Sequence, residues 1–322
     1  MLLSASQFQS ECQSASSALI GTHLNPDGDA LGSAIALSLY FDSIELPNEV
    51  LCHHLPPANL EFLPFIEKVK LKPQMESHDL GVMLDLESME RLGDPSEYLA
   101  RAKRLVVIDH HIPHEAPGDL RIIDQSAAAT CAILARLLLE MDAEISPAMA
   151  TCLLTGIVTD TGSFRFRNTN AEALMLAGRL LEAGGDIGLV SEEIFQRKPL
   201  AAVRLLGFLL ETMTLEERNR LAWGQMTHDQ FQLVGAKDED TEGFVNELLS
   251  ISSVEIAALF RETRPNWVRV SLRSRGAHDV AAVAREFGGG GHHNAAGCSF
   301  DMPIHEVVAL VVPRMRECLV SH

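Results

Sequence analysis

The chain has 322 residues, enough for two domains at roughly 100–200 residues each. Its 26 Lys+Arg against 44 Asp+Glu give a net charge of −18, which excludes a duplex-DNA binder relying on a broad basic surface but leaves room for a site that takes one short nucleic-acid end. With 47% hydrophobic and 22% charged residues the chain is too apolar for disorder, and it lacks the run of about 20 apolar residues that a membrane helix needs.

The opening MLLSASQFQSECQ has neither a basic n-region nor a long apolar h-region, so no signal peptide is expected and the reading is a cytoplasmic protein. Cys12, Cys52, Cys131, Cys152, Cys298 and Cys318 form no C-x-x-C pair, which points to reduced, buried thiols. In the first half, SALIGTH, NEVLCHHL, LGVMLDLE, RLVVIDHH and LRIID read as strands, brief and rich in Val, Ile and Leu. Between them ALGSAIALSLYF, EFLPFIEKV, PSEYLARA and AAATCAILARLLLEM have helical length and spacing. The alternation predicts an α/β fold: a mostly parallel sheet with helices on both faces, its ligand beyond the carboxyl ends of the strands. Helices dominate from 146 to 212, and DIGLVSEEIFQRKPLAAVRLLGFLLETM leads out of the first domain.

A smaller α/β C-terminal domain follows. RLAWGQMT reads as a strand, TEGFVNELLSI as a helix, and SVEIAALFRET with NWVRVSLRS as a hairpin around Arg264-Pro265-Asn266. Then come the helix HDVAAVAREF, a glycine run and the closing helix IHEVVALVVPRMRECLV. The expected plan is a catalytic domain over 1–190, a helical linker over 191–212 and a substrate-binding domain over 213–322. Residues 1–190 carry a net −14 and residues 191–322 a net −4, so the first domain holds the excess of carboxylates.

The chemistry concentrates at the predicted strand ends. His23, Asp27 and Asp29 lie within seven residues, at a junction where Pro26 and Gly28 force a turn before a helix. One Asp there suffices to cap the helix, so capping does not account for all three. Imidazole plus carboxylate is a ligand set for Mn, Zn or Fe and a poor one for calcium. Asp85 closes the next apolar strand; alone it is a common strand-end residue. Asp109-His110-His111 closes another, and an acid with two imidazoles is costly to bury unless each is paired or metal-bound. Asp160 follows an apolar helical run and precedes a Gly162-containing turn. Phe287-Gly288-Gly289-Gly290-Gly291-His292-His293-Asn294 suits a loop whose N–H groups approach an anion, with a helix N-terminus behind it. Neither a Walker A motif nor G-x-G-x-x-G after a strand is present.

Taken in order, His23-x-x-x-Asp27-x-Asp29, Asp85, Asp109-His110-His111 and Asp160 resemble the four motifs of the DHH phosphoesterase family. Gly289-Gly290-Gly291-His292-His293-Asn294-Ala295-Ala296-Gly297 is similar to the signature of the DHH-associated C-terminal domain. The resemblance spans essentially the whole chain. In length and bare two-domain plan it is most similar to nanoRNase / 3′-phosphoadenosine 5′-phosphate phosphatases. Exonucleases of the RecJ type are longer, and family II pyrophosphatases lack the glycine-histidine signature. The resemblance implies two divalent ions, manganese by preference. His23, Asp27 and Asp85 would hold one ion and Asp29, Asp85, His110 and Asp160 the other, with Asp85 bridging. It implies that His111 faces the substrate phosphate and that Asp109 orients the histidines. Arg273 with Gly289, Gly290, Gly291, His292, His293 and Asn294 would bind phosphate from the second domain. Glu87, beside Asp85, has no assigned role.

The expected reaction is two-metal hydrolysis in a cleft between the domains. Four aspartates balance two divalent cations, and Arg273 with the glycine-loop N–H groups supplies the donors a phosphate dianion still needs. An acidic protein repels a long polyanion but admits a short one. The expected substrate is therefore a very short single-stranded RNA or a dinucleotide, with 3′-phosphoadenosine 5′-phosphate as a second; neither duplex DNA nor a membrane is a partner, and a homodimer stays open. The alternatives are a phosphatase or phosphodiesterase of small molecules or linear dinucleotides without general RNA activity, and a non-catalytic metal-binding regulatory module. Metal analysis with one dinucleotide hydrolysis assay separates them.

Overall fold

The computed structural model describes residues 4–86, 88–111 and 117–320, so Glu87 lies outside the described residues. The chain divides into two compact units, Met1–Arg197 and Lys198–His322.

In the first unit, β1 (Ala18–Thr22), β2 (Asn48–Leu51), β3 (Val69–Lys70), β4 (Leu80–Leu84), β5 (Arg104–Asp109) and β6 (Leu120–Ile123) form one sheet in the order β3-β2-β1-β4-β5-β6. Every pairing is parallel. Continuous apolar runs such as Ala18-Leu19-Ile20 and Val82-Met83-Leu84 suit strands covered on both faces. Ala18, Ile20, Val82, Leu84, Val106 and Ile108 face one core. That core is shared with α2 (Gly28–Ser43), α4 (Thr130–Glu140) and α5 (Pro147–Asp160). Leu19, Met83 and Val107 face the other side, covered by Leu86, Leu92 and Leu99 of the β4–β5 connection, which includes the one-turn α3 (Ser96–Leu99). Helix α2 is buried nearly all round, as its lack of a polar face requires. The unit also contains α1 (Ala5–Ser14), α6 (Ala171–Glu182) and α7 (Ile187–Ser191), with a π-turn over Glu192–Gln196.

One predicted helix is corrected. EFLPFIEKV is not helical; two 3₁₀ turns, Ala58–Leu60 and Ile66–Lys68, flank Pro64 and a left-handed Phe65 (φ 61°). Proline lacks the N–H a helix needs at that point and pushes the preceding residue out of helical conformation.

The chain runs outward from β1 to β2 and β3, then returns to place β4 on the other side of β1. The switch point therefore falls between β1 and β4, where open α/β sheets bind ligands. His23 follows β1, Asp85 follows β4, and Asp109-His110-His111 closes β5.

The second unit has a mixed sheet in the order β11-β12-β10-β9-β8-β7. Its strands are β7 (Thr214–Glu216), β8 (Leu221–Met226), β9 (Ile256–Arg264), β10 (Trp267–Ser274), β11 (Gly290–His292) and β12 (Ala295–Asp301), and β8–β9 is the one parallel pair. One face packs on α11 (Val280–Arg285) and α12 (Ile304–Val320), the other on α8 (Leu200–Thr212), α9 (His228–Val234) and α10 (Phe244–Ser250). Ala202, Leu205 and Leu209 of α8 are buried in this second core, so the end of the 191–212 stretch belongs to the second unit.

No helix starts directly after the glycine run. It enters the β11–β12 hairpin, where Gly291 (φ 135°) has no room for a Cβ against the Ala295 carbonyl. The helix nearby precedes it: the Val280 N–H at the start of α11 donates to the His293 carbonyl at 2.9 Å. The six cysteines are unpaired, and five are buried. No helix among the described residues is long and apolar enough to cross a membrane.

Candidate metal centre

The site begins where β1 ends. The Thr22 hydroxyl donates to the Leu84 carbonyl (2.9 Å) and ties the ends of β1 and β4 together. Asn25 takes a left-handed turn (φ 51°), and its N–H donates to His54 Nδ1 at 3.2 Å. Asp27 then caps α2, its Oδ1 accepting the Asp29 and Ala30 N–H groups at 3.0 Å each. This turn puts His23 and Asp27 on one side and leaves Asp29 in the first turn of α2, fully buried. Asp85 also adopts a left-handed conformation (φ 63°), a strain of about 1–3 kcal/mol for a residue with a side chain, while its N–H is held by the Ile108 carbonyl at 3.1 Å.

These turns gather the donors. His23 Nε2 lies 3.8 Å from Asp27 Oδ1 and 3.3 Å from Asp85 Oδ2. His110 Nε2 lies 3.5 Å from Asp85 Oδ1, 3.3 Å from Asp160 Oδ2 and 3.9 Å from Asp29 Oδ2. His111 Nδ1 is 2.8 Å from Asp109 Oδ1 and 3.5 Å from Asp85 Oδ1. Three groups could each hold an ion, His23/Asp27/Asp85, Asp29/His110/Asp160 and Asp85/His110/His111, their ligand atoms within 4.8 Å of one another. Asp85 belongs to two of them, and its two oxygens face different histidines.

The charge balance shows what the group lacks. Burial raises the Asp29 carboxyl well above the ordinary carboxylate range, the Asp85 and Asp27 charges add to this, and the Cys131 N–H opposes it. Burial and then the charges of Asp29, Asp27 and Asp85 push Asp160 up in the same way. Burial works to lower His23, but its contacts with Asp27 and Asp85 outweigh it and hold the imidazole well above its ordinary value. Desolvation works to raise Asp27; the His23 contact and the two N–H donors win and bring it to about 2. Burial also works to raise Asp109, and the His111 hydrogen bond overcomes it and lowers the carboxyl. Carboxylates crowded this closely keep protons in the absence of cations. Nitrogen and oxygen donors in such a cluster fit divalent ions of the Mn, Fe and Zn type.

Three residues that carry no obvious chemistry complete the site. The Thr130 and Cys131 N–H groups, at the start of α4, donate to Asp29 Oδ2 (2.6 Å) and Oδ1 (2.8 Å). The Thr130 hydroxyl donates to Asp85 Oδ1 at 3.1 Å. Ala129 offers no capping side chain, so Asp29 serves as the cap from α2. Gly156 makes the close approach possible: a Cβ there would run into Asp29 Oδ1 and Cys131 Sγ. One turn later the same helix delivers Asp160. The run Ala127-Ala128-Ala129-Thr130 marked a helix start and nothing more, because these donors are mostly backbone.

In the second unit, Arg273 sits on β10 opposite Ala295 of β12, with Nη1 donating to the Leu272 carbonyl at 3.0 Å. Among the described residues no carboxylate pairs with it, and burial pushes its guanidinium below the ordinary value. Gly289, Gly290, Gly291, His292 and His293 lie in and beside the hairpin, next to Arg273 through Ala295. The Asn294 amide nitrogen donates to the Ser274 hydroxyl (2.8 Å) and the Gly276 carbonyl (3.1 Å), so this side chain fastens the hairpin to the β10–α11 connection.

Comparison with known proteins agrees with this arrangement. The family model described as "DHH family, N-terminal domain" matches residues 17–157, and the "DHHA1 domain" model matches residues 230–319. The chain is 33% identical over 302 residues to the bifunctional oligoribonuclease and PAP phosphatase NrnA of Thermus thermophilus, covering 92% of this chain and 89% of that one. The protein of the same name from Bacillus subtilis is 30% identical over 287 residues, covering 87% and 88%. The crystal structure of an exopolyphosphatase-related protein from Bacteroides fragilis superposes with a TM-score of 0.91 at 28% identity, covering 97% and 95%. Donors set at the ends of β1, β4 and β5, a glycine-histidine hairpin in a second unit and kinship along nearly the full length lead to one assignment: the chain belongs to the DHH family of phosphoesterases, with a DHHA1 domain as its second unit.

Proposed function

We propose that the chain hydrolyses very short oligoribonucleotides to mononucleotides, accepts 3′-phosphoadenosine 5′-phosphate as a second substrate, and works with two divalent ions, manganese best. The observation that carries this reading is Asp85, whose Oδ2 stands 3.3 Å from His23 and whose Oδ1 stands 3.5 Å from His110. His23 and Asp27 would hold one ion with Asp85, and Asp29, His110 and Asp160 the other. Bound there, the ions would supply Lewis-acid charge to a phosphoryl oxygen and a water of lowered pKa. The relatives named bifunctional oligoribonuclease and PAP phosphatase support the substrate class.

The protein's own groups have separate tasks. Thr130 and Cys131 hold Asp29 through its two oxygens, so that it keeps its aim whether or not it is protonated. Asp109 holds His111 through Nδ1 and favours its protonated form; the Nε2–H of that imidazolium is assigned to the leaving oxygen, which takes its proton and leaves the neutral ring with Nδ1–H on Asp109. Arg273, a half-buried cation without a carboxylate partner among the described residues, is assigned to a substrate phosphate. The net −14 of residues 1–190 repels long polyanions, which restricts the substrate to a few nucleotides. Incubation of purified protein with a labelled diribonucleotide and with 3′-phosphoadenosine 5′-phosphate tests this. Mononucleotides and adenosine monophosphate should form with manganese; release from neither substrate in any divalent metal refutes the reading.

A further inference from the structure

One face of β10 carries Arg269, Ser271 and Arg273, alternating with the buried Val268, Val270 and Leu272. Across the β10–β12 pairing these meet Ser299, Gly297 and Ala295, so the floor beside the arginines is built of small residues. Arg273 lies at the end next to the glycine-histidine hairpin and Arg269 at the other. Arg261, opposite Arg269 on β9, has both terminal nitrogens engaged, Nη1 donating to Asp238 and Thr241 and Nη2 to Ser271, while its Nε has no partner among the described residues. Arg269 differs. It is 47% exposed, and among the described residues it donates from Nη1 only, to Asp238. Exposed pairs of this kind are weak, so the guanidinium can take a second, bidentate oxyanion at little cost.

The two arginines are four strand residues apart, about 13 Å. An amino-acid residue has three backbone bonds and spans at most about 3.3–3.6 Å. A nucleotide has six backbone bonds, so two nucleotides in extended form span about 13–14 Å by the same geometry. We propose that Arg269 is a second phosphate subsite, reading the phosphate two repeats from the one held by Arg273, and that it selects single strands carrying at least three successive phosphates. This rests on the function proposed above, because it takes Arg273 as a phosphate contact.

Three substrates separate the cases: a 5′-phosphorylated triribonucleotide has three successive phosphates, while its 5′-hydroxyl form and a 5′-phosphorylated dinucleotide each have two. Arg269→Ala should raise KM for the first by about five- to tenfold with kcat unchanged, and leave the other two within about twofold. Arg269→Lys should recover part of the loss, since it keeps the charge without the fork. Added salt should shrink the advantage of the three-phosphate substrate in the wild type more than in Arg269→Ala. Equal effects on all three substrates, or none on the first, overturn the subsite and leave the nuclease reading standing. Wild-type protein that cleaves none of the three overturns both.

Discussion

Asp29 and Cys131 are joined by a 2.8 Å hydrogen bond from the Cys131 backbone N–H to Asp29 Oδ1, across 102 residues of chain. The contact places a candidate ligand of α2 over the open end of α4, and the N–H of Thr130 holds its other oxygen. Two ordered donors aim the carboxylate before any cation arrives. Because α5 passes beneath this contact, Gly156→Ala should force Asp29 and Cys131 apart. Urea denaturation should show a loss of about 1–3 kcal/mol, the usual cost of overpacking a tight interior, and the metal-induced rise in Tm should shrink. An unchanged response to metal would mean that Asp29 is not a ligand.

Asp85→Ala keeps the left-handed backbone strain but removes a buried carboxylate that crowds Asp29 and Asp160, so the variant should still fold while turnover on a dinucleotide falls below about a tenth of the wild-type rate. Circular dichroism and a rate measurement on the same preparation check both halves. A variant retaining more than that rate shows that the shared carboxylate is dispensable.

Arg273→Ala should leave metal content unchanged and cost roughly 30- to 1000-fold in kcat/KM on a dinucleotide, the range for loss of one well-placed anion donor. Bis-p-nitrophenyl phosphate offers little for the second unit to hold and should lose less. Equal losses on the two substrates would place Arg273 in folding or at the metal centre.

The response to metal should depend on pH in one direction. The raised carboxyls of Asp29 and Asp160 keep protons in the folded, metal-free state that the unfolded chain releases at about pH 4, so the metal-free protein loses stability as pH rises above that value. The raised His23 adds to the trend: its favourable contribution is complete below about pH 6.5 and is lost as pH climbs through its folded value. Asp27, at about 2, acts only under strongly acid conditions. Cations displace the protons from Asp29, Asp160 and His23, so the gain in Tm from manganese should be larger at pH 8 than at pH 5.5. Scanning fluorimetry at both values decides; an equal or reversed gain contradicts this electrostatic picture.

The donors at the strand ends were legible because a parallel sheet buried on both faces leaves long apolar runs, against which a terminal Asp85 or Asp109-His110-His111 stands out. The backbone donors of Thr130 and Cys131 were not, since a peptide N–H leaves no trace in residue type. Helix α9 does carry its own signal in residue type: Thr227 and Gln230 form a capping box, and Gly235 ends the helix at φ 69°. The glycine run showed its hairpin only in the structure, because the same residues suit a loop against an anion and a close strand pair. Asn294, expected at a phosphate, has its amide nitrogen occupied by Ser274 and Gly276, which no spacing in the sequence reveals.

The most direct measurement is anomalous diffraction at the manganese edge from crystals of the protein grown with manganese. Two peaks are expected, one touching His23, Asp27 and an Asp85 oxygen, the other touching Asp29, His110, Asp160 and the second Asp85 oxygen. A single peak, or two peaks of which only one contacts Asp85, contradicts the bridged centre.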